Sequence, residues 1–114
     1  MREQTRVLIV DDDAVTLMLA ASAMSDAGHE ALEVDSGEAA IALLKECQPD
    51  IVLLDLQMPG MGGLAFCRWL RAQPLLSALP VLVMTGLDDS ATIESAFDAG
   101  ASDFIAKPFT FSIL

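Results

Sequence analysis

The stretch IVLLDLQMPGMGG, Ile51 to Gly63, runs four aliphatic residues into an aspartate and then into a loop of Met, Pro and Gly. Its aliphatic run does not alternate with polar residues, so it reads as a strand covered on both faces. A carboxylate at the end of such a run is costly unless something pairs with it. Asp55 therefore needs both a partner and a purpose.

Outward from this strand the same pattern recurs. TRVLIVDDD (Thr5 to Asp13) is another buried strand, and AVTLMLAASAMSDAG (Ala14 to Gly28) reads as a helix. In that helix Val15, Leu17, Met18, Ala21 and Met24 stand at helical spacing, and a glycine terminates it. HEALEVD is a short strand. SGEAAIALLKECQ is a helix capped by Ser36, with Glu38 in its first turn, Ile41 and Leu44 packed together, and Pro49 as its stop. After the Ile51 strand, LAFCRWLRAQ is a helix with Leu64, Cys67 and Leu70 on one side and Arg68 and Arg71 on another. LPVLVMTG is a fourth strand. DDSATIESAFDAG is a helix with Asp88 and Asp89 as cap residues and Gly100 at its end, and SDFIAKP is a fifth strand. Strands that are aliphatic throughout, alternating with helices, require a parallel sheet with helices on both faces. The expected fold is a doubly wound α/β domain spanning residues 1–114, without internal repeat, linker or low-complexity segment.

Composition narrows the function. With 114 residues and 54% hydrophobic content the chain can build one real core. No apolar run approaches the roughly 20 residues of a membrane helix. MREQTR leads straight into a strand, so no signal or transit peptide is expected, and a cytoplasmic domain is. The net charge of −11 disfavours direct nucleic-acid binding and suits cations or basic partner surfaces. Cys47 and Cys67 form no metal-ligand motif and read as buried free thiols in helices. His29, the only histidine, sits in an apparent turn with no nucleophile beside it.

The polar residues collect where strands end. Strand one runs into Asp11 and Asp12, strand three into Asp55, strand four into Thr85 and strand five into Lys107. In an open parallel sheet those carboxyl ends share one edge, outside which the ligand crevice lies. Residues more than ninety positions apart thus converge. Asp11 or Asp12 alone could cap a helix, as Asp13 is expected to do, and Lys107 alone could be a turn lysine. Together they describe one site. Three carboxylates in a pocket repel each other, and a hard divalent cation, Mg²⁺ or Mn²⁺, removes the conflict with oxygen ligands alone. Lys107 supplies a point charge and Thr85 a hydroxyl, so the set suits a phosphoryl group, which an aspartate can itself accept.

VLIVDDD, DIVLLDLQMPGMGG, PVLVMTG and GASDFIAKPF, in this order from Val7 to Phe109, resemble the signature blocks of bacterial response-regulator receiver domains. The resemblance implies a flavodoxin-like sheet of order 2-1-3-4-5. It implies that Asp55 is the phosphoacceptor, served by a histidine kinase or phosphotransfer protein. Mg²⁺ would be held by Asp12 directly, by Asp11 through water, by Asp55 and by the backbone carbonyl of Gln57. Thr85 and Lys107 would hold phosphoryl oxygens, and the Lys107–Pro108 peptide would be cis. The switch would couple Thr85 to the aromatic residue of strand five. That residue is Phe104, where the family often has a tyrosine, so a hydrogen bond from the ring is lost while ring burial remains as a two-state element.

Family members carry a fifth helix, and here the chain reaches Leu114 after at most one turn of it. Phe109, Phe111, Ile113 and Leu114 look like an apolar face without its remainder. The sequence is thus expected to be the N-terminal part of a longer protein, with that face exposed or buried by self-association. The ending DFIAKPFTFSIL is similar to receivers that precede cyclic-dinucleotide signalling domains. An output domain or effector protein, and a possible homodimer, are the further partners implied. Two other readings stand beside the switch. One is a small Mg²⁺-dependent aspartyl-phosphate phosphohydrolase, which would commonly need an acid where Gln57 stands and a cap domain. The other is a receiver-like interaction module that is never phosphorylated. On the leading reading the domain is no enzyme beyond its own phosphorylation and dephosphorylation.

Overall fold

The computed structural model describes residues 4–56, 58, 60–85 and 90–106. Among them strands and helices alternate from β1 (Arg6–Val10) through α1 (Ala14–Asp26), β2 (Glu30–Val34), α2 (Gly37–Leu44), β3 (Ile51–Asp55), α3 (Gly62–Ala72), β4 (Val81–Thr85) and α4 (Ser90–Asp98) to β5 (Asp103–Ala106). The strands make one sheet in the order β2-β1-β3-β4-β5, and every neighbouring pair is parallel. This is the expected architecture. No helix of the described residues is long and apolar enough to cross a membrane.

Register explains the aliphatic runs. Leu8 pairs with Val52 and Val10 with Leu54, while Val52 and Leu54 pair in turn with Val81 and Val83. These six residues are buried in one cluster with Ala40 of α2, Phe66, Cys67 and Leu70 of α3, and Ala96 of α4. Val7, Ile9, Leu53 and Met84 alternate to the opposite face, against Ala20 and Met24 of α1. The three central strands are thus packed on both sides. Each buried Val or Leu there contributes about 1.5–3 kcal/mol, which is why no polar residue interrupts them before the sheet's carboxyl edge. β2, at the sheet's edge, is only half-buried and carries the exposed Glu33.

The helices start and stop for local reasons. Asp13 is the N-cap of α1, accepting from the Val15 N–H at 3.1 Å, and the Thr16 hydroxyl donates to its other oxygen at 2.8 Å. Ser36 caps α2 by accepting from the Ala39 N–H at 3.0 Å. α1 is closed by Gly28 at φ 89°, with the His29 N–H reaching back to the Met24 carbonyl. After α4 the Ala101 N–H likewise reaches the Ala96 carbonyl around Gly100.

Several expectations about helices need correction. Val15 and Met18 lie on the outer face of α1, 58% and 60% exposed, and the buried residues are Ala20 and Met24. The helix is apolar nearly all round, so spacing alone does not choose its inner face. Pro49 does not stop α2, which already ends at Leu44. Cys47 therefore lies beyond the helix and is half-buried, whereas Cys67 is buried in α3 as expected; both are free. In α3 the largest buried side chain is Phe66, with Leu64 only partly covered. Arg71 does not point simply to solvent. Its guanidinium donates to the carbonyls of Gly100 (2.8 Å), Ser77 (3.2 Å) and Leu79, and to the Ser102 hydroxyl (3.4 Å).

Candidate functional site

Three parallel strands deliver their ends to one place. Asp11 directly follows β1 and Asp55 is the last residue of β3, so the β1–β3 pairing brings them to the same edge. Asp11 is wholly buried, Asp55 is buried, and Asp12 beside them is exposed. One carboxylate oxygen from each lies within 4.8 Å of the other two. Asp11 also accepts from the Asp13 N–H at 2.9 Å, and its own N–H donates to the Val34 carbonyl at 3.2 Å. The turn that starts α1 is thereby folded around the Asp11 carboxylate, with Asp13 facing the helix and Asp12 left to face the site.

Like charges gathered at this spacing disfavour one another, and a nearby cation offsets that cost. Oxygen donors of this number and charge fit a hard divalent cation that keeps several of its waters. The donor set contains neither His nor Cys, so a softer metal is disfavoured. Asp11, Asp12 and Asp55 are the residues that would hold the ion.

Thr85 closes β4 one register step beyond Met84, the partner of Asp55, and pairs with Ala106 of β5. The backbone therefore brings Thr85 to the edge that carries Asp55. Gln57, Lys107, the Lys107–Pro108 peptide, Asp88, Asp89 and the apolar residues Phe109 to Leu114 lie outside the described residues. Phe104, on β5, pairs with Val83; the residue is 39% exposed and its ring stands edge-on to Phe97 of α4, centroids 6.4 Å apart.

The loop after β3 is held from beneath. Leu56 and Met58 are buried, and the Gly63 N–H donates to the Leu56 carbonyl at 3.3 Å. A Cβ on Gly63 would overlap the Asp55 carbonyl oxygen and come within 2.6 Å of Leu56 Cα. Only glycine lets α3 begin this close to the end of β3. Sequence reasoning did not single out Gly63; its signal was the second glycine of a Gly-Gly pair opening a helix directly after an aspartate-terminated strand.

A sequence model described as the response regulator receiver domain matches residues 7–114. The DNA-binding response regulator MtrA of Mycolicibacterium paratuberculosis is 36% identical over 104 residues, which cover 91% of this chain and 45% of that protein. The response regulator PleD of Caulobacter vibrioides is 36% identical over 103 residues, 90% of this chain and 23% of PleD. The chain thus spans less than half the length of either relative. Among solved structures, the chemotaxis protein CheY4 of Vibrio cholerae superposes with a TM-score of 0.91 at 27% identity, over 96% of this chain and 91% of that one. Sheet order, carboxylate cluster and sequence match agree, and the chain belongs to the response regulator receiver domain family.

Proposed function

We propose that this receiver domain of two-component signalling is a phosphorylation switch whose acceptor is Asp55. The observation that carries the reading is the convergence of Asp11, Asp12 and Asp55 within 4.8 Å at the sheet's carboxyl edge, two of the three buried. An Asp55 carboxylate oxygen attacks phosphorus in the phosphohistidine of a kinase or phosphotransfer protein. The P–N bond breaks, the imidazole leaves with a proton from solvent, and an acyl phosphate forms on Asp55. A bound Mg²⁺ or Mn²⁺ would offset the negative charge gathered on the phosphoryl oxygens. Asp11, Asp12, Asp55 and the Gln57 carbonyl would hold that ion, and Thr85 and Lys107 would hold the phosphoryl group.

The site's own residues favour a switch over turnover of a separate substrate. Asp55 is buried, and the loop after it is pinned by Leu56, Met58 and Gly63. Rearrangement at Thr85 would draw the exposed Phe104 ring inward and break its edge contact with Phe97. An output domain or effector protein would then read the altered β4–α4–β5 surface. The relative MtrA is a DNA-binding response regulator; here the output is a partner that reads the phosphorylated state.

Incubation with acetyl phosphate and Mg²⁺ tests the assignment by intact mass. The wild-type chain is expected to gain one hydroxylamine-labile phosphoryl group, and Asp55→Asn none. Uptake that survives in Asp55→Asn, or phosphate stable to hydroxylamine, overturns it.

A further inference from the structure

At the end of the molecule opposite Asp55, where α2 and α3 finish, lies a half-open cavity of about 280 Å³. Its apolar wall comes from Leu44, Trp69, Leu75 and Leu76, and Lys45 and Gln48 stand among its lining residues. Trp69 is fixed there. Its ring stacks on the buried Phe66 with centroids 6.1 Å apart, and its carbonyl accepts from the Gln73 side chain at 3.1 Å. Leu75, by contrast, is 86% exposed, a large apolar side chain at the cavity with almost no cover. A cavity of this size suits a small ligand, below the range of drug-sized sites.

Charge selects its class. The chain has 17 acidic residues against 6 basic ones, yet the lining contains one cation, Lys45, and no carboxylate among the described residues. Salt reduces the reach of the molecule's overall negative field to about 8 Å at physiological ionic strength, so the charge that lines the site, Lys45, weighs most in what binds here. We propose that this cavity is a binding site for a small hydrophobic monocarboxylate, its chain against Trp69, Leu44 and Leu76 and its carboxylate at Lys45. Such a ligand would touch the C-terminal part of the helix whose first turn supports Asp55, without entering the phosphoacceptor site.

Trp69 is the only tryptophan, so its emission reports occupancy directly. Octanoate, octan-1-ol and octylammonium share one chain and differ in charge. Titrated into the full chain, octanoate should change Trp69 emission saturably, with Kd on the order of 1 mM for a ligand of its size, and leave the far-UV circular dichroism unchanged. Octanol should bind about three- to fivefold more weakly, the range of an exposed ion pair, and octylammonium more weakly still. Lys45→Gln, an exposed change that leaves the core intact, should bring octanoate down to the octanol level. The proposal is overturned if octanoate gives no saturable change, if octanol binds as well as octanoate, or if Lys45→Gln keeps the preference.

Discussion

Gly63 lies directly against the backbone of Asp55: a Cβ at position 63 would overlap the Asp55 carbonyl oxygen. The neighbouring Gly62 has open space around it but a φ of 74°. The two glycines therefore answer different needs, one steric and one conformational. Gly63→Ala should cost about 1–3 kcal/mol by forcing α3 away from β3, and should also slow phosphorylation by acetyl phosphate several-fold. Gly62→Ala should cost about 1 kcal/mol through its left-handed backbone and leave the phosphorylation rate within about twofold. Urea denaturation with rates on the same samples separates them. Equal rates in the two variants would refute a role for Gly63 in placing Asp55.

Asp11 and Asp12 are neighbours with opposite surroundings. Asp11 is wholly buried and accepts the Asp13 N–H that sets the start of α1, whereas Asp12 is exposed. Removing Asp12 relieves repulsion without breaking that turn, so Asp12→Ala should raise metal-free stability. Asp11→Ala relieves repulsion too but leaves the Asp13 N–H without this acceptor, a cost of about 1–2 kcal/mol, so its metal-free stability should fall below that of Asp12→Ala. For Mg²⁺ the order reverses in emphasis, with Asp12→Ala weakening binding more than Asp11→Ala does. Denaturation in chelator and titration with Mg²⁺ measure both. A metal-free Asp12→Ala variant less stable than wild type would contradict the crowding.

The sheet and its carboxylate cluster were legible because both depend on strands, and strands buried on both faces declare themselves. Leu8 to Val10 and Val52 to Leu54 have no polar neighbour until the edge, so the aspartates mark where each strand stops. Helix faces were less legible. α1 is apolar around most of its surface, and Val15 and Met18 satisfy helical spacing on the outside as well as Ala20 and Met24 do on the inside. Pro49 looked like a helix stop, yet the chain had left α2 four residues earlier, at Lys45. Arg71 and the cavity were beyond reach for another reason. Their partners come from segments far apart in sequence, and no local pattern announces them. Gln57, read only from resemblance, and Lys107, read from the end of strand five, lie outside the described residues.

Arg71 ties α3 to the loops that start β4 and β5, through the carbonyls of Ser77, Leu79 and Gly100. The Ser102 hydroxyl, which its other nitrogen approaches, in turn accepts from the Val81 N–H at 3.1 Å. Arg71→Ala takes the guanidinium from two part-buried acceptors, the Gly100 and Leu79 carbonyls, and from two exposed ones, and should cost about 2–4 kcal/mol. Arg71→Lys keeps the charge but cannot reach three carbonyls with one ammonium, so it should recover less than half of that loss. Hydrogen exchange should quicken at Val81 and Ser102 in both variants. If Arg71→Lys is as stable as wild type, charge and not the fork of hydrogen bonds is what matters.

Cys67 should give the fold an alkaline limit. Burial raises its thiol above the ordinary value of 9.0, against smaller opposing effects of Arg71 and Arg68. In the unfolded chain the thiol ionises as pH passes about 9, while in the folded chain it still holds its proton. The unfolded state then binds fewer protons, so stability falls as pH rises. The contribution is complete below pH 9 and is lost above it, by at most about 1.4 kcal/mol per pH unit. The chain contains no tyrosine, which leaves this window free of phenol ionisation. Cys67→Ala should lower stability at pH 7.5 by about 1–2 kcal/mol through lost packing, and should flatten the decline between pH 9 and 10. Cys47, half-buried, should react first with a thiol reagent in the folded state and leave Cys67 to react at the rate of unfolding. Urea midpoints at pH 7.5, 9 and 10 decide the matter: a decline of equal slope in wild type and Cys67→Ala would assign the alkaline limit to some other group.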